Sequence, residues 1–378
     1  MSRRRLILLS LVLLTLFAPL YAAQPKNVIL MIGDGMGPAQ VTLARLSCGS
    51  SLNMDSMKYG GLVKTQSADS TITDSAAAGT ALATGFKTNN GMISTLPDGT
   101  EVQTILEAAR KIGKATGLIT TVSITDATPA VFGSHIASRK GQADIAPQLI
   151  EHKIDVILGG GKVYWIPKSQ DQSKREDERD IIAEAKSAGY SYVESRDGLL
   201  SANGKPLGLF QLGGLTTESP EPTLAEMADK AIQTLSSDKD GFFLMVEGGQ
   251  IDYRCHDNDA PGAIKQTLDF DAAVGKVLDF ARSKGNTLVI VTADHETGGM
   301  TIIYPDKDSA EKFKVVFTTK GHSACNVPLL ADGPGSQSFS GILDNTDVPK
   351  RIAEVWGIKG FGSTPHSCSP SPPVHPPS

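Results

Sequence analysis

Asn27-Val-Ile-Leu-Met-Ile32 is an unbroken apolar run of strand length, and it stops at Gly33-Asp34-Gly35. A strand with one wet face alternates apolar and polar residues, whereas a run that is apolar throughout belongs to a strand covered on both sides. Runs of the same kind follow at Gly117-Leu-Ile-Thr-Thr-Val122, Val156-Ile-Leu158, Phe242-Phe-Leu-Met-Val246 and Thr287-Leu-Val-Ile-Val-Thr292. Helical periodicity lies between them, at residues 102–112 (stopped by Gly113), 224–235 and 263–281. The alternation predicts an α/β fold: a three-layer sandwich with a large, mostly parallel central sheet and helices on both faces. Residues 162–222 carry charge runs such as Lys174-Arg-Glu-Asp-Glu-Arg-Asp180, and read as solvated surface helix and loops without chemistry.

Polar residues sit where these runs end. Asp34 follows the first, Ser123 to Thr128 the second, Glu247 comes directly after Val246, and Asp294-His295 follow Thr292. Sites in open parallel sheets collect beyond the carboxyl ends of the strands, so residues far apart in sequence would meet at one edge.

Three of the seven histidines stand in Asp252-x-x-x-His256, Asp294-His295 and Gly321-His322-Ser323. Imidazole and carboxylate are the ligands zinc takes for hydrolysis, and two metals about 4 Å apart can clamp the attacking and leaving oxygens of a displacement. Asp252 and His256, four residues apart, suit one ion on a helical turn; Asp294 and His295 suit a loop around a second, with Asp34 in reach of it. Any one of these pairs is also what a surface salt bridge or cap would show. Asp74-Ser75 precedes a run of small residues, Ala76 to Gly85, suited to a tightly packed helix. Asp74 as N-cap would leave Ser75 in the first turn, where free N–H groups favour an anion, although a capped structural helix has the same pattern. Thr128 and Glu247 offer only oxygen, which suits magnesium, and Arg139 could fork onto a phosphate. Gly33-Asp-Gly-Met-Gly37 lacks the G-x-G-x-x-G frame of a nucleotide loop.

The 378 residues, 40% of them hydrophobic, suffice for one large core, and a net charge of -5 with scattered Lys and Arg argues against nucleic acid. Arg3-Arg4-Arg5 precede an apolar run from Leu6 to Phe17, and Leu20-Tyr21-Ala22 suits cleavage after Ala22. Residues 1–22 thus read as a signal peptide, its apolar run being shorter than the roughly 20 apolar residues of a membrane span; an uncleaved anchor is the alternative. The mature protein is expected to be exported, periplasmic or secreted, with no membrane attachment after cleavage. Cys48, Cys255, Cys325 and Cys368 permit three disulfide connectivities without choosing one. Residues 360–378, rich in Ser and Pro, read as a disordered tail.

The segments Asn27-Val-Ile-Leu-Met-Ile-Gly-Asp-Gly-Met-Gly37, Thr73-Asp-Ser-Ala-Ala-Ala-Gly-Thr80, Ile124-Thr-Asp-Ala-Thr-Pro-Ala130, Ser138-Arg139, Val246-Glu-Gly-Gly-Gln-Ile-Asp252, Thr292-Ala-Asp-His-Glu-Thr-Gly-Gly299 and Gly321-His-Ser323 together resemble the alkaline phosphatase family. The resemblance spans residues 26 to about 357, so that residues 23–359 would form one catalytic domain. It implies hydrolysis of small phosphate monoesters through a phosphoserine on Ser75. It implies a first zinc on Asp252, His256 and His322, and a second on Asp34, Asp294 and His295. Magnesium would be shared by Asp34, Thr128 and Glu247, with Asp126 holding one of its waters. Arg139 would grip two phosphoryl oxygens, steadied by Asp74, and a homodimer is implied.

Two departures from the family stand out. Tyr253 occupies a position where many members carry Lys, His or Trp, so the acid–lysine pairing expected around Asp126 is broken. Residues 296–321 are also short beside members with a large insertion there. A phosphodiesterase on the same metal core is the alternative within the superfamily, and a non-catalytic exported phosphate- or metal-binding protein the alternative outside it. Ser75 lacks the Cys/Ser-x-Pro-x-Arg setting of a sulfatase.

Overall fold

Burial on both faces requires neighbours on both sides, and the first apolar run has them. In the computed structural model, which describes residues 24–306, 308–309 and 313–363, β1 (Asn27–Gly33) is wholly buried and lies between two parallel partners. These are β7 (Phe242–Gly248) and β8 (Thr287–Thr292). The other members of the ten-stranded sheet are β2 (Tyr59–Lys64), β3 (Ala115–Ser123), β4 (Val156–Gly160), β5 (Tyr190–Val193), β6 (Lys205–Leu209), β13 (Val327–Asp332) and β14 (Gly341–Asp344). Their order is β14-β2-β13-β8-β1-β7-β3-β4-β6-β5. Only β13 runs against its neighbours, so the expectation of a mostly parallel sheet holds. Four short strands, β9 (Glu296–Thr297), β10 (Met300–Pro305), β11 (Phe313–Phe317) and β12 (His322–Ser323), pair as β9 with β12 and β10 with β11 outside it.

The helices cover the sheet in two groups. Leu224–Leu235 and Ala260–Lys284 pack on each other and on β3, β7 and β8, while Ile105–Lys111 and Ala127–Gly133 pack on β3 and β7 with Ser75–Thr84 and Asp347–Val355 behind them. Local chemistry explains where they start. Thr104 and Thr223 each close a capping box, with Glu107 and Glu226 three residues on, which satisfies two otherwise orphaned N–H groups apiece. Asp74 caps Ser75–Thr84 by accepting from the Ala77 N–H, as its sequence suggested.

Residues 162–222 depart from the surface reading. They supply β5 and β6, which extend the sheet to its edge, and they bury Trp165 completely. The buried Arg175 guanidinium donates to the carbonyls of Ala143 (2.5 Å) and Tyr164 (3.1 Å) and to Asp177. Tyr-Ser-Tyr-Val and Lys-Pro-Leu-Gly-Leu are too short, and too broken by Pro and Gly, to show a strand period, and only pairing with β4 gives them one.

The predicted signal peptide lies outside the described residues, as does the tail from 364 onward; just before it, Phe361 still packs against the core. Among the described residues no helix is long and apolar enough to cross a membrane. Cys48, Cys255 and Cys325 are free, Cys255 being buried.

If residues 162–222 are part of the core, Trp165→Ala should cost about 3–5 kcal/mol by urea denaturation, as truncation of a fully buried aromatic does. A solvated surface segment would lose no more than about 0.5 kcal/mol.

Candidate active site

The carboxyl ends of four adjacent strands bring the polar residues together. Asp34 leaves β1, Glu247 stands near the end of β7, and Asp294-His295 leave β8. Asp126 leaves β3 as N-cap of the helix Ala127–Gly133, which carries Thr128. Directly after β7, the helix Gln250–His256 presents Asp252, Tyr253 and His256. His322 arrives on β12, opposite Thr297 of β9.

Two clusters result: Asp252, His256 and His322 form one, Asp34, Asp294 and His295 the other, and within each the candidate ligand atoms all lie within 4.8 Å of one another. In the first, His256 Nε2 is 3.1 Å from Asp252 Oδ2 and 3.3 Å from His322 Nε2. In the second, His295 Nε2 is 3.1 Å from Asp294 Oδ2 and 3.5 Å from Asp34 Oδ1. Ser75 Oγ lies 3.1 Å from that same His295 nitrogen, at the start of its helix. The stacked rings of His295 and His322, 3.5 Å apart, join the two clusters.

The rings are oriented by their other nitrogens. His256 Nδ1 donates to the Lys320 carbonyl (2.5 Å) and His322 Nδ1 to the Thr73 carbonyl (2.8 Å). A carbonyl only accepts, so each Nδ1 carries a proton and each ring turns its Nε2 into the cluster.

The charge balance of the site is unusual. Asp34, Glu247, Asp252 and Asp294 are all buried. Burial, reinforced by Asp294 and Asp252, raises the Asp34 carboxyl well above its usual range, and burial takes Glu247 up to about 8. Burial would raise Asp294 too, yet the charge of His295 beside it holds it down to about 2. Against burial, the hydrogen bond from His256 keeps Asp252 below its ordinary value, and in return raises His256 to about 9. Asp34 Oδ1, Asp294 Oδ2 and Thr128 Oγ1 are buried without a hydrogen-bond partner. Buried carboxylate oxygens left in this state are costly unless protonated or matched by cations. The donors therefore fit divalent ions, nitrogen and oxygen donors suiting zinc and the all-oxygen set of Glu247 and Thr128 suiting magnesium.

Arg139 is clamped beside this edge. Its guanidinium donates to Asp74 Oδ2 (3.2 Å) and Asp126 Oδ1 (3.0 Å), and its backbone N–H donates to the Gly91 carbonyl. Tyr253 donates its hydroxyl proton to the other oxygen of Asp126 at 2.8 Å. A hydrogen bond from an uncharged donor thus stands where the sequence departure left the lysine pairing missing.

Several supporting residues were not foreseen. Thr120 donates to Glu247, its register partner on the next strand. Thr297 donates to Asp252 Oδ1 (2.5 Å) and faces His295 Nδ1 (3.2 Å), coupling the two clusters. Gln40 ties Glu296 to the Thr297 carbonyl. Gly35 (φ 70°) brings its backbone so close that a Cβ there would meet Asp252 Oδ1 and Thr297 Oγ1 at 2.9 Å, while its N–H donates to Asp294. Only strand order and register reveal most of these neighbours.

An α/β sheet with two imidazole–carboxylate clusters at its carboxyl edge, one buried and one part-exposed, beside a serine at a helix N-terminus, has the make-up of a metal-dependent hydrolase. The family model described as alkaline phosphatase matches residues 25–309. The chain is 37% identical to alkaline phosphatase 3 of Bacillus subtilis, covering 86% of this chain and 88% of that one. It is 33% identical to the alkaline phosphatase of Escherichia coli, covering 88% and 86%. The solved alkaline phosphatase of the Antarctic bacterium TAB5 superposes with a TM-score of 0.82 at 37% identity, covering 89% of this chain and 99% of that one. The chain belongs to the alkaline phosphatase family of phosphoric monoester hydrolases. The B. subtilis alignment runs over 415 positions, more than the 378 residues of this chain, so that relative carries segments absent here.

Without the Tyr253 hydroxyl, Asp126 would draw Arg139 more strongly to itself. Tyr253→Phe should raise KM for 4-nitrophenyl phosphate about five-fold, the effect of roughly 1 kcal/mol at a part-exposed hydrogen bond, with kcat little changed. Steady-state kinetics check this, and an unchanged KM would remove Tyr253 from any part in binding.

Proposed function

We propose that this chain is an exported alkaline phosphatase that hydrolyses phosphate monoesters through a phosphoserine on Ser75. In this reading Asp252, His256 and His322 hold one zinc, and Asp34, Asp294 and His295 a second. Asp34, Thr128 and Glu247 hold magnesium, with Asp126 beside it retaining a water. The observation that carries the reading is the 3.1 Å approach of Ser75 Oγ to His295 Nε2 of the second cluster, at a helix N-terminus. A variant of the Antarctic enzyme is described with magnesium bound in its M3 site, which supports a third ion of that kind here.

When bound, such ions supply Lewis acidity, lowering the pKa of coordinated hydroxyls and stabilising charge on the attacking and leaving oxygens. The chain's own residues do the rest. Ser75 Oγ loses its proton and forms a bond to phosphorus as the ester oxygen leaves with its electron pair and takes up a proton from solvent. Water then attacks phosphorus, losing a proton, as Ser75 Oγ departs with the electron pair of its bond and takes a proton up. Each displacement inverts phosphorus, so the product retains configuration. The free N–H groups in the first turn after Asp74 favour the dianionic phosphoryl group. Asp74 and Asp126 hold the Arg139 fork in place before substrate arrives, which reduces the ordering cost of gripping two phosphoryl oxygens. Removal of residues 1–22 on export would leave a periplasmic or secreted enzyme, and the family favours a homodimer.

Ser75→Ala should lower monoester turnover on the order of a thousandfold or more, with metal content intact; turnover equal to wild type would remove Ser75 as nucleophile. A chelator should abolish activity, and zinc with magnesium should restore it. Comparison of kcat/KM for a monoester and a diester separates the proposed reaction from a phosphodiesterase, for which diester turnover would equal or exceed that of the monoester.

A further inference from the structure

A third cluster with metal-ligand chemistry lies apart from the strand ends. Glu107, His135 and His152 present ligand atoms within 4.8 Å of one another. They come from three segments: Glu107 from the helix Ile105–Lys111, His135 from just beyond the helix Ala127–Gly133, and His152 from the C-cap of Gln142–Glu151. The Ala127–Gly133 helix separates them from Asp126 at its other end, roughly 10 Å away at 1.5 Å per residue. Nothing in the proposed reaction uses them.

Four features point to a cation. His135 Nδ1 donates to the Ser94 carbonyl at 2.9 Å, as the Nδ1 atoms of His256 and His322 donate to the carbonyls of Lys320 and Thr73 in the strand-end cluster. Its Nε2 is thereby aimed at Glu107 Oε1, 2.9 Å away, and His152 Nδ1 approaches the same oxygen to 3.2 Å. These separations match the 3.1 and 3.3 Å between ligand atoms around His256. Glu107 is oriented too, because its Oε2 accepts from the Thr104 N–H of the capping box.

We propose that Glu107, His135 and His152 form a separate site for a divalent cation of the zinc type. Two imidazole nitrogens and one carboxylate oxygen are a recognised zinc set that leaves a fourth position for water. Solvent reaches the cluster from one side: Glu107 and His152 border a surface cleft of about 320 Å³ with Arg110, Lys111, Glu151 and Lys153. Arg110, the cation nearest in sequence to Glu107, is occupied by the Lys153 carbonyl at 2.5 Å. Without metal, protons on the two facing nitrogens bridge the same gap. With metal, one ion replaces both and staples three segments around the far end of the helix that carries Thr128.

The test compares the whole mature enzyme with its His152→Ala variant, both stripped by chelator, refilled with zinc and dialysed. Metal content per chain, turnover of 4-nitrophenyl phosphate and circular dichroism are measured on each. Wild type is expected to hold one zinc more per chain than the variant, with turnover unchanged, and zinc should raise the Tm of wild type further than that of the variant. Equal zinc content overturns the proposal and leaves a proton-held ion pair. A zinc lost together with turnover also overturns it, since that ion would belong to the catalytic clusters. His152→Asn, which keeps a polar C-cap, answers the same question if the alanine variant does not fold. Only the difference between proteins is read, so the result is independent of how many ions the strand-end clusters hold.

Discussion

Asp34, Glu247, Asp252 and Asp294 are drawn out of water together at one edge of one sheet, none more than 7% exposed, and the rest of the site is arranged around that concentration of negative charge. A single unmatched carboxylate at such depth would cost a large share of the about 5–15 kcal/mol that keeps a domain folded. The histidines offset part of it, as the low pKa of Asp294 and the raised one of His256 show. Asp34 and Glu247 are pushed the other way, burial disfavouring their charged forms. Cations at the proposed sites would favour the charged forms of both carboxyls and so offset that cost.

Strand register decides how the carboxylates are held. Ile32 pairs with Glu247 on one side and Thr292 on the other, and Glu247 pairs in turn with Thr120. That alignment brings four chain exits level with one another and places the Thr120 hydroxyl on Glu247. Glycine at position 35 lets the β1 exit lie against Asp252 and Thr297, so the two clusters share a wall. Arg139 and Tyr253 complete the edge by gripping opposite oxygens of Asp126. Compared with a lysine, a tyrosine there supplies a directional hydrogen bond without a charge, which leaves Arg139 as the fixed cation next to Asp126.

Much of this was legible in the chain itself. The run from Asn27 to Ile32 announced a strand covered on both faces, and a covered parallel strand implies a site beyond its carboxyl end, where Asp34 is found. Asp252 meets His256 and Asp294 meets His295 because residues within one turn or one loop are placed by local geometry. Asp74 capping Ser75 is equally local. Residues 162–222 misled because β5 and β6 are too short to carry a period of their own, and because Arg175 of the charge run is buried, held by Asp177 and by the carbonyls of Ala143 and Tyr164.

Tertiary structure alone decided which residues meet across the sheet. Thr120 with Glu247, Thr297 with Asp252, Tyr253 with Asp126, and Glu107 with His135 and His152 are pairings between segments whose separation in sequence says nothing about their distance in space. A residue's type and its immediate neighbours settle strand, helix and cap, because those depend on backbone torsions and on side chains a few positions away. The charge state of a buried carboxylate depends on everything packed around it, and that is known only once the sheet has assembled.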